Sequence, residues 1–514
     1  MSKLPMAACL AVAALISVPF AASTASAQTQ LTVAVKADRY SIKQDRFSFT
    51  TRRPAAQIAE TAVKPDENFN PSPLLFQDWS YADGLYTVTL REGVTFSEGT
   101  PFNADTAIAS LKLYDNNRSD FLQLDQESFE KLSDYQISFR SEVDSSMVIE
   151  NMTHRGTSLF LPTGTLAENP IGTGPYLLES YEPKQQITMR RNPDYWGEAP
   201  NVETLTFRFI SDDNARLLAL QNGEVDVIGE VTPQMMLSMP QDGSVILHQS
   251  RPIRYAALMF NMQGNAPYDI AANDLNLRKA LAHAIDRETL AQVLYGGFGQ
   301  PARTILPGWM FDLGDDHAKG FTFDQAKANA LLDEAGWTMG ANGVRERDGR
   351  PLSLRMVAAY PNVSTVKPMP EMLDQMFAAV GVDIEIVEVD DSGVYNDTYF
   401  GPGAADMFLE FASNNNTDPT YLLYNVFTTM SPWGYAVTSP GENVDELAQA
   451  SRVAGSREEV IDLVREAYRS IVDDHVSTIP ILTVPNFSLS RPGITVTMSE
   501  YEDWIDYGNV SLGQ

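Results

Sequence analysis

Leu85-Tyr86-Thr87-Val88-Thr89-Leu90-Arg91-Glu92-Gly93-Val94-Thr95-Phe96-Ser97-Glu98-Gly99-Thr100-Pro101-Phe102-Asn103-Ala104-Asp105 begins as a strand and ends as a helix. The alternation of apolar and polar residues from Leu85 to Leu90 has the two-residue period of a half-buried strand. Arg91-Glu92-Gly93 then turns the chain. Asn103 stands at a helix N-cap ahead of Ala104 to Leu113, with Asp105 in the first turn, where the helix dipole favours negative charge.

Working outward, the same two patterns recur. Leu31 to Val35, Gln186 to Arg190 and Thr204 to Phe209 read as strands. The clearest helix is Leu277 to Ile285, where Leu277, Ala280, Leu281, Ala284 and Ile285 fall on one stripe. Asp286 caps a second helix through Leu290 and Val293, ended by Gly296-Gly297. Asp324 opens a third, with Ala328, Leu331, Leu332 and Ala335 on its core face and Gly336 at its end. Ser456-Arg457-Glu458-Glu459 is a capping box before Val460, Ile461, Val464, Tyr468, Ile471 and Val472. Strands and helices alternate throughout, which predicts α/β lobes built on mixed sheets.

The N-terminus reads as an export signal: Lys3, an apolar run from Leu10 to Phe20, and the small-residue cleavage site Ala25-Ser26-Ala27 before Gln28. A retained signal anchor is the alternative, and the short run followed by the A-x-A site favours cleavage. No other stretch approaches about 18 consecutive apolar residues, the length a spanning helix needs. The single cysteine, Cys9, lies inside the apolar run, so a chain starting at Gln28 has no thiol for disulfides, thiolate metal sites or nucleophilic catalysis. Removing Lys3 takes the net charge from -30 to -31. That excess repels phosphate backbones and anionic head groups, which argues against nucleic-acid binding. A chain of 514 residues is too long for one core, so two or three lobes are expected.

Catalytic patterns are absent: no H-E-x-x-H, G-x-S-x-G or phosphate loop occurs. Gly172-Thr173-Gly174 begins like a dinucleotide fingerprint but lacks the third glycine, and Pro175-Tyr176 reads as a tight turn before a strand. The five histidines, His154, His248, His283, His317 and His475, are scattered with no i, i+4 pair, so no metal site is assigned, and His283 beside the core stripe reads as structural. No catalytic residue and no cofactor is assigned. A secreted hydrolase remains the rival class and would require a nucleophile or metal constellation.

Several blocks resemble the family 5 extracellular solute-binding proteins, the dipeptide, oligopeptide and nickel binders of ABC importers. They are Leu90 to Asp105 as quoted, Pro170-Ile171-Gly172-Thr173-Gly174-Pro175-Tyr176, Arg191-Asn192-Pro193-Asp194-Tyr195-Trp196-Gly197, Asn222-Gly223-Glu224-Val225-Asp226 and Leu277-Arg278-Lys279-Ala280-Leu281-Ala282-His283-Ala284-Ile285-Asp286-Arg287. They stand in the family's order, and their glycines, prolines and apolar positions set turns and cores. The resemblance implies an α/β fold of the periplasmic binding protein-like II type, with two large lobes, a hinge and a smaller inserted domain. Residues 1–27 would be the signal, 28–62, 172–263 and 483–514 a discontinuous first lobe, 63–171 the insert and 264–482 the second lobe, with hinge crossings near Asn261 and Pro485. It further implies a monomeric periplasmic protein, a small-molecule or peptide ligand between the lobes, and an inner-membrane ABC permease as partner.

Within that family the segment from Val94 to Asn151-Met152-Thr153-His154-Arg155 looks most like the nickel-chelate binders. Arg155 occupies the position of an arginine that pairs with chelator carboxylates, a task suited to the guanidinium fork; the alternative is an ion pair with one of the many acids. Phe121 stands where those proteins carry tryptophan, as a ligand wall or as core. The aromatic and arginine residues of the nickel pattern before Asp418-Pro419 are replaced by Ala412-Ser413-Asn414-Asn415-Asn416-Thr417. Asn415 falls near the aspartate with which peptide binders hold an ammonium group; Asn414, Asn415 and Asn416 are either a ligand contact or a polar turn. Arg52 and Arg53, before the helix-like Ala55 to Ala62, face the cleft or the solvent. The expected ligand is a small carboxylate-bearing solute, a short peptide or amino-acid conjugate, with a metal chelate as the alternative.

Overall fold

The computed structural model describes residues 30–36, 55–114, 122–142, 146–162, 169–263, 269–359, 368–389, 405–414, 416–431, 438–498 and 510–512. Eleven of the described strands join in one sheet. Its first half runs Tyr176–Glu182, Gln186–Arg191, Thr204–Phe209, Gln30–Val35 and Val227–Ile228, and its second half runs Met407–Ser413, Ser353–Ala359 and Asp383–Val389, with the short strand Gln300–Pro301 paired at Leu482 and Thr483. Two long antiparallel strands, Ile246–Phe260 and Thr478–Ser490, lie between and belong to both. At one end Leu489 and Ser490 pair with Val227 and Ile228, and at the other Arg254 to Phe260 pair with Met407 to Ser413.

Midway, the register of the long pair breaks between Gln249 and Pro252 and again between Pro252 and Arg254, with Pro252 opposite Pro485. Neither proline has an N–H to donate, so the ladder is interrupted where the sheet passes from one half to the other. Asn261 lies at the far end of the first long strand, its amide donating to Ala405 O at 3.1 Å and its backbone N–H to Asp406 O at 2.8 Å. One apolar core crosses the break, since Ile228, Met235 and Met236 pack in the same cluster as Leu281, Leu294 and Leu482.

A separate four-stranded sheet, in the order Phe76–Ala82, Leu85–Leu90, Gln136–Arg140, Glu130–Ser133, is inserted ahead of Tyr176. Val88, Phe96, Phe102, Leu111 and Phe139 form its core. Asn103 caps its helix reciprocally with Thr106. That helix ends at Leu111, two residues short of expectation, because Leu113 and Tyr114 donate to Ser110 and Leu111 and tighten the last turn. The strands expected at Leu85 to Leu90 and Thr204 to Phe209 form with those bounds.

In the second half, Asp274 caps Leu275–Ala284 through Leu277 N–H, and Leu277, Ala280, Leu281, Ala284 and Ile285 are fully buried. Asp286 caps Arg287–Tyr295, which ends on Gly296 in the left-handed region, and Asp324 caps Gln325–Glu334. Ser456 Oγ accepts from Glu459 N–H at 3.2 Å, while the Glu459 carboxylate accepts from Gly455 N–H, one residue earlier than a capping box requires. The expected helix from Ala55 to Ala62 is confined to Ala55–Ile58. Beyond it, Ile58 O and Glu60 O accept from Gly174 and Leu159, which draws the chain into extended pairing. No helix among the described residues is long and apolar enough to cross a membrane.

Candidate functional site

The family-like blocks of the N-terminal half converge on Glu60. Its buried carboxylate accepts from Thr173 Oγ1, Tyr195 Oη and Trp196 Nε1, each at 2.8 Å, and Arg91 lies over the Trp196 ring at 5.1 Å. Burial raises the Glu60 pKa, and the three hydrogen bonds oppose the rise. A Cβ on Gly172 would stand 2.2 Å from Ile58 O, and one on Gly174 2.6 Å from Gln57 O. These glycines therefore serve close backbone approach, as a turn before a strand requires. Glu60 was not singled out in the sequence; its signal was an acid set in the apolar run Ile58-Ala59-Glu60-Thr61-Ala62-Val63.

Arg155 is half-buried and starts a short 3-10 turn, Arg155–Thr157, that follows the helix Val148–Asn151. The turn is braced on all sides. His154 Nδ1 accepts from Gly156 N–H at 3.0 Å, Thr157 Oγ1 donates to His154 O and Met152 O, and Ser158 Oγ donates to Arg155 O. Such bracing fixes the base from which the Arg155 side chain extends.

Asn414 and Asn416 follow the strand Met407–Ser413 and are both buried, at 2% and 0% exposure. Asn414 Nδ2 donates to Asn416 O and Asp418 O, leaving its Oδ1 without a hydrogen-bond partner. Asn416 Nδ2 donates to Asn151 Oδ1 at 2.7 Å and its Oδ1 accepts from Asp418 N–H. Asn151 donates in return to Asp418 Oδ2 at 3.0 Å, and Thr417 N–H donates to Thr153 Oγ1 at 2.9 Å. The asparagine run thus meets the insert at residues two and four positions before Arg155. Phe121, Asn415, Arg52 and Arg53 lie outside the described residues.

Two buried carboxylates accompany this seam. Glu150 has its pKa pushed up to about 7, chiefly by burial, against the pull of Arg457, whose Nη1 is 3.7 Å away. Burial likewise raises Asp418, while Thr420, Arg452 and Asn151 oppose the rise. Of the histidines, His283 Nδ1 lies 2.7 Å from Thr322 O and its ring stands edge-on to Phe321. Among the described residues no group of three or more His, Cys, Asp or Glu is placed to hold a metal ion.

The fold is shared with NikA from Brucella suis, solved in complex with Fe(III)-EDTA, at a TM-score of 0.82 and 22% identity over 94% of this chain and 99% of that one. The likeness assigns the mixed α/β architecture of type II periplasmic binding proteins. The chain belongs to the bacterial extracellular solute-binding proteins, family 5, whose middle region matches residues 70–432. It is similar to the nickel-binding periplasmic protein of Escherichia coli K12, 27% identical over 363 residues covering 66% of this chain and 67% of that protein. It is also similar to the dipeptide-binding protein of the same strain, 26% identical over 438 residues covering 77% and 78%. This family supplies the substrate-binding components of ABC importers, and the chain is one of them.

Proposed function

We propose that the chain is exported, cleaved near Ala27, and captures a small carboxylate-bearing solute, a short peptide or amino-acid conjugate, which it delivers as a monomer to an inner-membrane permease. It carries out no catalysis in this reading. Residues 28–62, 172–263 and 483–514 would form the first lobe, 63–171 the insert and 264–482 the second lobe. The opposed prolines Pro252 and Pro485, where the long ladder is broken, support a flexible crossing between them.

The observation that carries the ligand class is the braced cation at the seam. Arg155 rises from a rigid turn two residues beyond the Thr153–Thr417 bond, where the insert meets the opposing half. A guanidinium there suits a carboxylate, which it grips by two charge-assisted hydrogen bonds. Asn414 and Asn416 would shape the facing loop, with Asn415, Phe121 and Arg52 completing the pocket. A metal chelate bearing carboxylates is the second reading, favoured by the likeness to the nickel-binding protein and to the NikA fold.

Titration calorimetry of the parent and Arg155→Ala with dialanine tests the pairing. Removing one partner of a desolvated ion pair costs about 2–5 kcal/mol. An unchanged dissociation constant would remove Arg155 from the site.

A further inference from the structure

The turn Asp66–Asn70 of the insert does more than connect two short strands. Asp66 Oδ1 accepts from Asn68 and Asn70 N–H at 2.9 and 2.8 Å, and Asp66 N–H donates to Asn70 O, so the turn is rigid by itself. From it Phe69 projects into the core of the opposing half at 1% exposure, edge-on to Trp309 and to Phe311 with centroids at 6.2 and 5.6 Å. Phe69 takes a φ of 65° and Phe311 one of 57°, in the left-handed region that bulky residues rarely adopt. Asn68 O accepts from Phe311 N–H at 3.0 Å, tying the two strained backbones together.

Two arginines fasten the same turn from outside. Arg457 Nε and Nη2 donate to Asn70 Oδ1. Arg251, on the first long strand beside the register break at Pro252, stacks on Trp309 at 3.8 Å and donates to Glu67 O. The plug therefore touches the insert, the opposing half and the crossing strand at once.

We propose that the Asp66–Asn70 turn is a latch: Phe69 enters the Trp309–Phe311 socket when the lobes close and leaves it when they open, so that this contact holds part of the closure energy independently of solute. Strain on both sides of the socket suits a contact formed and broken in function, because a permanently docked core has no need of it. The latch takes its physiological meaning from the flexible crossing between lobes proposed above, but its test needs no solute, so failure of either reading is seen separately.

With Cys9→Ser the chain has no other cysteine, and spin labels at Glu130→Cys on the insert and Glu446→Cys on the opposing half report their separation by double electron–electron resonance. Without solute, Phe69→Ala should reduce the short-distance population about tenfold or more, since deleting a buried phenyl ring removes a large apolar contact. Phe69→Leu should restore much of it. Asn70→Ala, at the half-buried end of the turn, should act in the same direction and serves if Phe69→Ala fails to fold. Distance distributions in Phe69→Ala and Asn70→Ala that superimpose on the parent would overturn the latch and make the insert a fixed part of the opposing half.

Discussion

Glu150→Gln should remove a loss of stability that the parent suffers as pH rises from about 4.5 to about 7. The Glu150 side chain sits at the seam with 8% exposure, one oxygen 3.7 Å from Arg457 Nη1 and the other without a hydrogen-bond partner. Its pKa rises from 4.5 to about 7 on folding. Below pH 4.5 the carboxyl is neutral in both states and carries no penalty. Between those values the unfolded chain releases the proton and the native protein keeps it, so the native state loses stability with each step in pH. Above about 7 both states are ionised and the loss levels off, at about 3 kcal/mol for a gap of this size. Glutamine keeps the shape without the titration. Urea unfolding at pH 5 and pH 8 gives the measurement, and comparing the parent's change with the variant's offsets the other raised carboxylates, Glu60, Asp374, Asp406 and Asp418. The variant should be less sensitive by about 1–3 kcal/mol. Equal pH sensitivity in the two proteins would mean that Glu150 is ionised and solvated, and that the seam is not closed.

Gly172→Ala should destabilise by at least about 1–3 kcal/mol in urea melts, because the added methyl meets the Ile58 carbonyl at 2.2 Å and backbone must move. Leu281→Ala, in the core that spans the sheet break, should cost about 2–5 kcal/mol by the same assay. Asp286→Ala removes the bond to Thr289 N–H and should cost about 1 kcal/mol, measured as a shift in the unfolding midpoint.

The local half of this architecture was legible because it rests on interactions a few residues long. Asp286, Asp324 and Ser456 all cap helices as read, and the Leu277 to Ile285 stripe is fully buried. What was not legible depends on partners hundreds of residues apart. Pro252 looks like any loop proline until Pro485 faces it. Asn416 belongs to a run readable as a ligand contact or a polar turn, and its burial is made possible by Asn151, more than 260 positions earlier, which satisfies its amide. Phe69 gave no periodic signal, since its burial comes from a single turn inserted in a distant core. Arg155 was singled out from the family pattern alone, whereas the bracing of its turn by His154, Thr157 and Ser158 follows from backbone geometry that no spacing encodes.

The decisive measurement is thermal unfolding of the protein against a panel of short peptides, amino-acid conjugates, sugars and nickel or iron chelates. A solute that binds only the folded state, present at about a hundred times its dissociation constant, adds about 2.7 kcal/mol and a readily measured shift. A carboxylate-bearing peptide or conjugate should give that shift, and Arg155→Ala should lose it. Stabilisation by neutral sugars alone, or a shift that survives the substitution intact, would contradict that expectation.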